Sequence, residues 1–153
     1  MTVPQGTSGF TLLEMVCVLA IIALLLATAL PALPRGTSRP MLEAYALRTA
    51  ALLKADRAAA IRRGVPVATE LSPMARMIRS GANGRSLQLP QDVGFRAILA
   101  SQCGARAAGT TIQFLPSGMS CGGTIYLSRP GVTLEVRITW LTGGVEIVPG
   151  SDS

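Results

Sequence analysis

Gly9-Phe10-Thr11-Leu12-Leu13-Glu14 opens the stretch around which the chain is organised, and no charged side chain follows from Met15 through Pro34. From Phe10 to Leu30 the only polar residues are Thr11, Glu14 and Thr28. At 1.5 Å per residue a helix over this run crosses a hydrocarbon core of roughly 30 Å. Glu14 is the exception in it. A carboxylate within a membrane helix costs on the order of 3 kcal/mol, so it marks a candidate functional residue. The plainer reading is an acid in the first turn, favoured by the helix dipole.

Outward from this run, the chain changes character twice. Pro31, Pro34, Gly36 and Pro40 punctuate its end and are expected to kink or loosen the helix. Met41 to Arg63 is rich in Ala, Leu and Arg, all helix formers. Leu42, Ala46, Thr49, Leu53 and Ala60 recur at three-to-four spacing, with Arg48, Lys54, Asp56, Arg57, Arg62 and Arg63 mostly off that face. Gly64 fits a helix C-cap, and Arg62 and Arg63 suit the negative helix end. Beyond Gly64 the period becomes two. Val65, Val67, Thr69 and Leu71 share one face. Residues 72–85 read as a loop or short helix. Strands are expected at 86–89, 93–99, 111–115, 123–128, 132–140 and 144–148, with 102–109 as a linker. In the clearest, Val132, Leu134, Val136, Ile138 and Trp140 face inward, and Thr133, Glu135, Arg137 and Thr139 face water. Arg129-Pro130-Gly131 and Thr142-Gly143-Gly144 supply turns. The expected architecture is α+β: one long N-terminal membrane-spanning helix packed on an antiparallel β-sheet domain, drawn as a meander.

The opening hexapeptide, with its short polar leader and the apolar run behind it, resembles the processing site of type IV prepilins and type II secretion pseudopilins. The resemblance implies that a prepilin peptidase cuts between Gly9 and Phe10 and methylates the new amine of Phe10. It also implies that Glu14 is retained for assembly and that Pro31 falls where pilin helices carry a proline. A conventional secretory signal is cut after its apolar run and loses it. A cut at Gly9 leaves the anchor in place. A buried carboxylate is tolerable beside a cation, and the resemblance implies that Glu14 would pair with the Phe10 amine of a neighbouring subunit. The i,i+4 contact with its own Phe10 amine is the competing arrangement. The leader carries no Lys or Arg while Arg35 and Arg39 follow the run, so the positive-inside count opposes the cytoplasmic N-terminus that the motif implies.

The resulting division is 1–9 leader, 10–34 transmembrane and assembly helix, 35–64 amphipathic second half of the helix, and 65–153 periplasmic β domain. The roughly 119 residues after the run suffice for one globular core. With aromatics at 4%, that core rests on aliphatic side chains. All 14 basic residues and 7 of the 8 acidic ones lie after residue 34, so this part carries +7. That charge suits acidic partners or an anionic surface, or simply reflects an arginine-rich composition. Of the 3 cysteines, Cys17 lies in the apolar run as a packing residue. Cys103 and Cys121 fall in the part that the motif places in the periplasm, where disulfides persist. A bond between them stabilises by roughly 3 kcal/mol if its geometry fits, and two free thiols are the alternative.

The chain contains no histidine, which excludes His-based triads, the commonest general base and most catalytic zinc sites. There is no CxxC pair, P-loop or dinucleotide-binding glycine pattern. Neither a catalytic site nor a metal or cofactor is expected; the chain reads as the substrate of an enzyme.

Phe114-Leu115-Pro116-Ser117-Gly118, Gly122-Gly123-Thr124-Ile125 with Leu127, and Gly143-Gly144-Val145 are similar to the globular part of the GspH/FimT group of minor pseudopilins. Ala59-Ala60-Ile61-Arg62-Arg63-Gly64 with Val65 and Val67 matches that group's helix-to-strand junction. The resemblance implies a minor pseudopilin of a type II secretion system, single-pass in the inner membrane with its C-terminal domain in the periplasm. Its partners are then prepilin peptidase, other major and minor pseudopilins, and secreted exoproteins. The alternative is a FimT-like minor pilin of a type IV pilus that aids assembly or binds DNA during uptake, for which the +7 domain is the motive. Against it, the chain closes on Val148-Pro149-Gly150-Ser151-Asp152-Ser153 without a basic tail, and few aromatics are available to stack on bases.

Overall fold

The computed structural model of the chain describes residues 11–29, 36–104 and 106–150. The chain forms two units, 1–35 and 36–153. In the first, α1 spans Leu12–Ala29. In the second, α2 spans Arg39–Arg63. Pro31 and Pro34 lie outside the described residues. Gly36 to Ser38 are not helical, and Gly36 has φ +133°. The helical structure is therefore broken before Arg39 rather than kinked. α2 starts afresh: the Ser38 hydroxyl accepts from the Met41 N–H, and Pro40 sits in the first turn, where its missing N–H leaves nothing unsatisfied. It ends at Gly64, in the left-handed region at φ +66°, whose N–H bonds to Ala60 O at 3.0 Å. That is the expected C-cap.

Ten strands follow: β1 (Val67–Ser72), β2 (Met77–Arg79), β3 (Ser86–Gln88), β4 (Gly94–Leu99), β5 (Gln102–Cys103), β6 (Arg106–Ala107), β7 (Thr111–Phe114), β8 (Gly123–Arg129), β9 (Val132–Ile138) and β10 (Val145–Pro149). They form two four-stranded antiparallel sheets, β3-β2-β1-β7 and β10-β9-β8-β4, plus the small β5-β6 hairpin. The arrangement is not a single meander. β4 leaves its sequence neighbour β3 to pair with β8, setting Phe95 opposite Leu127. β7 returns to β1, with Ile112 opposite Thr69. Alternation shows which face of a strand is buried but not which strand lies beside it.

The strand predictions hold except at short or terminal pieces. The stretch 72–85 contains β2, and 102–109 contains the β5-β6 hairpin; two or three residues are too few to show a period. β9 stops at Ile138, so Trp140 lies outside the buried row and is 61% exposed. Glu135, expected in water, is buried. It faces Tyr126 on one side and Val148 on the other and takes Arg137 Nε at 2.9 Å.

One core serves both sheets. Leu42, Ala46, Ala50, Leu53, Ala59 and Ala60 of α2 meet Val67, Leu71, Ile78, Ile112 and Phe114 from the first sheet. They also meet Ile125, Leu127, Val136, Ile138 and Val145 from the second. Burying each Leu or Ile contributes about 1.5–3 kcal/mol. The five helix positions read from spacing, Leu42, Ala46, Thr49, Leu53 and Ala60, are all buried.

Candidate assembly site

α1 begins at a capping arrangement. Thr11 precedes its first turn, and the Glu14 N–H meets Thr11 Oγ1 at 3.3 Å and Thr11 O at 3.0 Å. Thr-x-x-Glu before an apolar run is the sequence signature of a capping box. The signal was present in the sequence, and it places Glu14 at the third position of the helix. There a carboxylate is favoured by the unpaired N–H groups and the helix dipole. Glu14 is exposed and enters no salt bridge among the described residues. Gly9 and Phe10, the expected cleavage and methylation positions, lie outside the described residues.

From Leu12 to Ala27 every side chain of α1 is exposed. Glu14 is the only charged residue between Leu12 and Ala29. A helix that is apolar all round finds its cover in other helices or in lipid. Among the described residues no helix is long and apolar enough to cross a membrane. The 18 residues of α1 amount to about 27 Å. Cys17 is a free, exposed thiol on this helix.

The second unit is tied down where the chain enters it. The backbone N–H of Thr37 donates to Asp92 Oδ2, and the Thr37 hydroxyl donates to Asp92 Oδ1 at 3.0 Å. Arg129 donates to Thr37 O at 3.2 Å. Arg76, in the left-handed region at φ +51°, reaches Pro90 O at 3.2 Å and also Val93 O, holding the β3–β4 connection in place. The two Thr37 bonds, backbone first, hold the Asp92 carboxyl below its ordinary value of 3.8, and Arg76 adds to the effect. A carboxylate whose folded pKa is depressed stabilises the fold above its unfolded pKa and loses that contribution as pH falls through the folded value. The Thr37 amide resonance is thus expected to titrate with a midpoint below 3.8 and to stop titrating in Asp92→Asn. A midpoint at or above 3.8 would contradict the arrangement.

Two further clusters hold the second unit together. Asp56, buried on α2, accepts from Thr69 Oγ1 at 2.7 Å, from Ser80 Oγ, and from the N–H groups of Gly81 and Ala82 at 3.1 and 3.2 Å. Its place in a run of surface charges hid it from the sequence reading. Arg57, next to it, donates through Nε to Gly118 O at 3.0 Å and Thr142 O at 3.1 Å. That contact joins two of the glycine motifs singled out above, and it is structural. Cys103 of β5 and Cys121 are joined as a disulfide with Cα atoms 5.3 Å apart. No cluster of His, Cys, Asp or Glu suited to a metal occurs among the described residues.

Residues 5–30 match the prokaryotic N-terminal methylation motif. Over 141 residues the chain is 33% identical to the type II secretion system protein H of Xanthomonas campestris pv. campestris, covering 92% of this chain and 83% of that one. The chain belongs to the type II secretion protein H family of minor pseudopilins. Solved structures bear out the pilin-like fold of this pseudopilin. The minor pseudopilin EpsH of the Vibrio cholerae type 2 secretion system matches 73% of this chain and 99% of its own, with TM-score 0.56 and 13% identity. The Pseudomonas aeruginosa type IV minor pilin FimU matches 74% of this chain and 92% of its own, with TM-score 0.55 and 15% identity. At such identities both likenesses concern the fold alone.

Proposed function

We propose that the chain is a structural subunit, not an enzyme, of the periplasmic pseudopilus of a type II secretion system. In this reading prepilin peptidase cuts between Gly9 and Phe10 and methylates Phe10. The apolar run 10–34 that contains α1 anchors the protein in the inner membrane, with the 36–153 unit in the periplasm. During assembly α1 leaves lipid for a bundle of other pseudopilin helices, and Glu14 meets the Phe10 amine of a neighbour. Motion of the assembled filament then serves exoprotein export.

The observation that carries this is α1 itself: an uncovered apolar helix whose first turn holds a single carboxylate, on the residue whose N–H meets the Thr11 hydroxyl. In lipid or in a helix bundle such a carboxylate is tolerable beside a cation, and the amine created by cleavage supplies one four residues away in sequence. The test is Glu14→Ala in cells. Cleavage and membrane insertion are expected to persist, while co-purification with other pseudopilins falls by roughly tenfold or more, the effect of about 1.4 kcal/mol. Recovery of the variant with its partners at the normal level would sink the reading. The extracellular proteome of a strain lacking the chain tests the system: exoproteins held in the periplasm are the expected result.

A further inference from the structure

β3 is the end strand of its sheet. Its pairing with β2 sets Ile78 opposite Leu87, and the ladder bonds flanking them run from Ser80 N–H to Arg85 O and from Leu89 N–H to Arg76 O. Hydrogen-bonded and non-bonded pairs alternate in an antiparallel ladder. Leu87 therefore spends its backbone groups on β2, while Ser86 and Gln88 turn theirs to the open edge. Such an edge is a template for one more strand.

The edge borders a cleft of about 440 Å³ between β3 and α2, within the range of binding sites. Leu52, Ala55 and Leu87 give it an apolar floor, and Arg48 and Arg85 line it with two guanidinium groups. No Asp or Glu lines it, and neither arginine enters a salt bridge among the described residues. Arg48 lies over the Tyr45 ring at 5.8 Å, which holds its stem against the helix. Two cations without a local acid attract negative charge.

The geometry points to a docking site for an extended, acidic segment of a partner protein, added as a strand to β3 with its carboxylates on Arg48 and Arg85. Strand addition supplies main-chain hydrogen bonds, and arginine suits a carboxylate because it can bind both oxygens. An open backbone edge over an apolar floor fits a peptide better than a nucleic acid. Among the described residues no aromatic ring lines the cleft, and Tyr45 carries Arg48 over it rather than lying free for a base. The inference rests on the proposed role only in requiring a protein partner. It concerns β3 and leaves α1 untouched.

The test uses the full chain in detergent micelles. The probe is a short synthetic peptide of alternating Glu and Val; a Lys and Val peptide and a single-stranded oligonucleotide serve as comparisons. The acidic peptide is expected to bind and to slow hydrogen exchange at the Ser86 and Gln88 amides by roughly tenfold or more. The double variant Arg48→Gln, Arg85→Gln should lose this while Leu87 keeps its protection, showing the sheet intact. Absence of binding would overturn the proposal. So would binding that leaves Ser86 and Gln88 unprotected, or tighter arginine-dependent binding of the oligonucleotide. Because Glu14→Ala tests assembly through α1, failure here is distinct from failure there.

Discussion

An alanine at Gly143 is expected to lower the free energy of unfolding by roughly 4 kcal/mol or more, among the largest effects a single methyl group produces. Gly143 has φ +63°, and a Cβ there would lie 2.1 Å from Gly118 O and 2.9 Å from Arg57 Nε. The first contact is with backbone, so relief requires the 118 and 143 turns to move apart. That movement breaks the pair of bonds from Arg57 Nε to Gly118 O and Thr142 O. Bonds from a charged donor contribute about 1.5–3 kcal/mol each. Overpacking adds about 1–3 kcal/mol and the left-handed backbone about 1 kcal/mol.

Gly131 supplies the control. It has φ +74°, but nothing lies within 4 Å of a Cβ placed on it. Gly131→Ala should therefore carry only the backbone cost, about 1 kcal/mol. Chemical denaturation of both variants checks the pair. Equal losses would mean that the Arg57 clamp contributes nothing. In a double-mutant cycle Gly143→Ala and Arg57→Ala should be markedly less than additive, because each removes the same two bonds.

The clamp also shows which parts of the fold were legible in the sequence. The buried face of α2 was, because Leu42, Ala46, Thr49, Leu53 and Ala60 repeat at the helical period and all are buried. The long strands were, because alternation across β8 and β9 covers seven residues each. β2 was not, with only Met77, Ile78 and Arg79 to show a period. The glycines at 118 and 143 announced turns, but their close approach is a tertiary fact joining segments far apart in sequence. The pairings of β7 with β1 and of β4 with β8 are likewise absent from local pattern.

The assembly site divides in the same way. Glu14 stands out as the lone charge in an apolar run, a signal available to elementary chemistry. Thr11, three residues earlier, carried an equally plain capping signal that went unread. Gly9 and Phe10 rest on the motif alone, for both lie outside the described residues. The domain surface gave the least away. Net charge says that arginines are numerous; only the fold shows that Arg129 holds Thr37, that Arg57 joins two turns, and that Arg48 and Arg85 line the same cleft.

Asp56 is where expectation and structure differ most, and its replacement carries the second large prediction. A carboxylate midway along a helix among Lys54, Arg57, Arg62 and Arg63 reads as a surface charge. It is instead fully buried, with two donors at each oxygen: Ser80 Oγ and Ala82 N–H at Oδ1, Thr69 Oγ1 and Gly81 N–H at Oδ2. These donors come from β1 and from the β2–β3 turn, so one side chain fastens the first sheet to α2. Asp56→Ala leaves them without their acceptor. Each unsatisfied buried donor costs about 1–3 kcal/mol. Ala82 N–H keeps Ser80 Oγ as a second acceptor at 3.2 Å. Removing the buried charge returns part of the loss. The net expectation is a loss of roughly 3–5 kcal/mol, lowering the melting temperature by on the order of 15 °C. Asp56→Asn discriminates further. Its amide group must replace one oxygen, and either choice sets an N–H against the backbone N–H of Gly81 or of Ala82. A hydroxyl can rotate to accept instead of donate, but a backbone amide cannot. Asn should therefore lose about 1–3 kcal/mol, with faster hydrogen exchange confined to Gly81 or Ala82. A loss in Asn equal to that in Ala would show that the charge, not the geometry of its acceptors, holds the sheet to the helix.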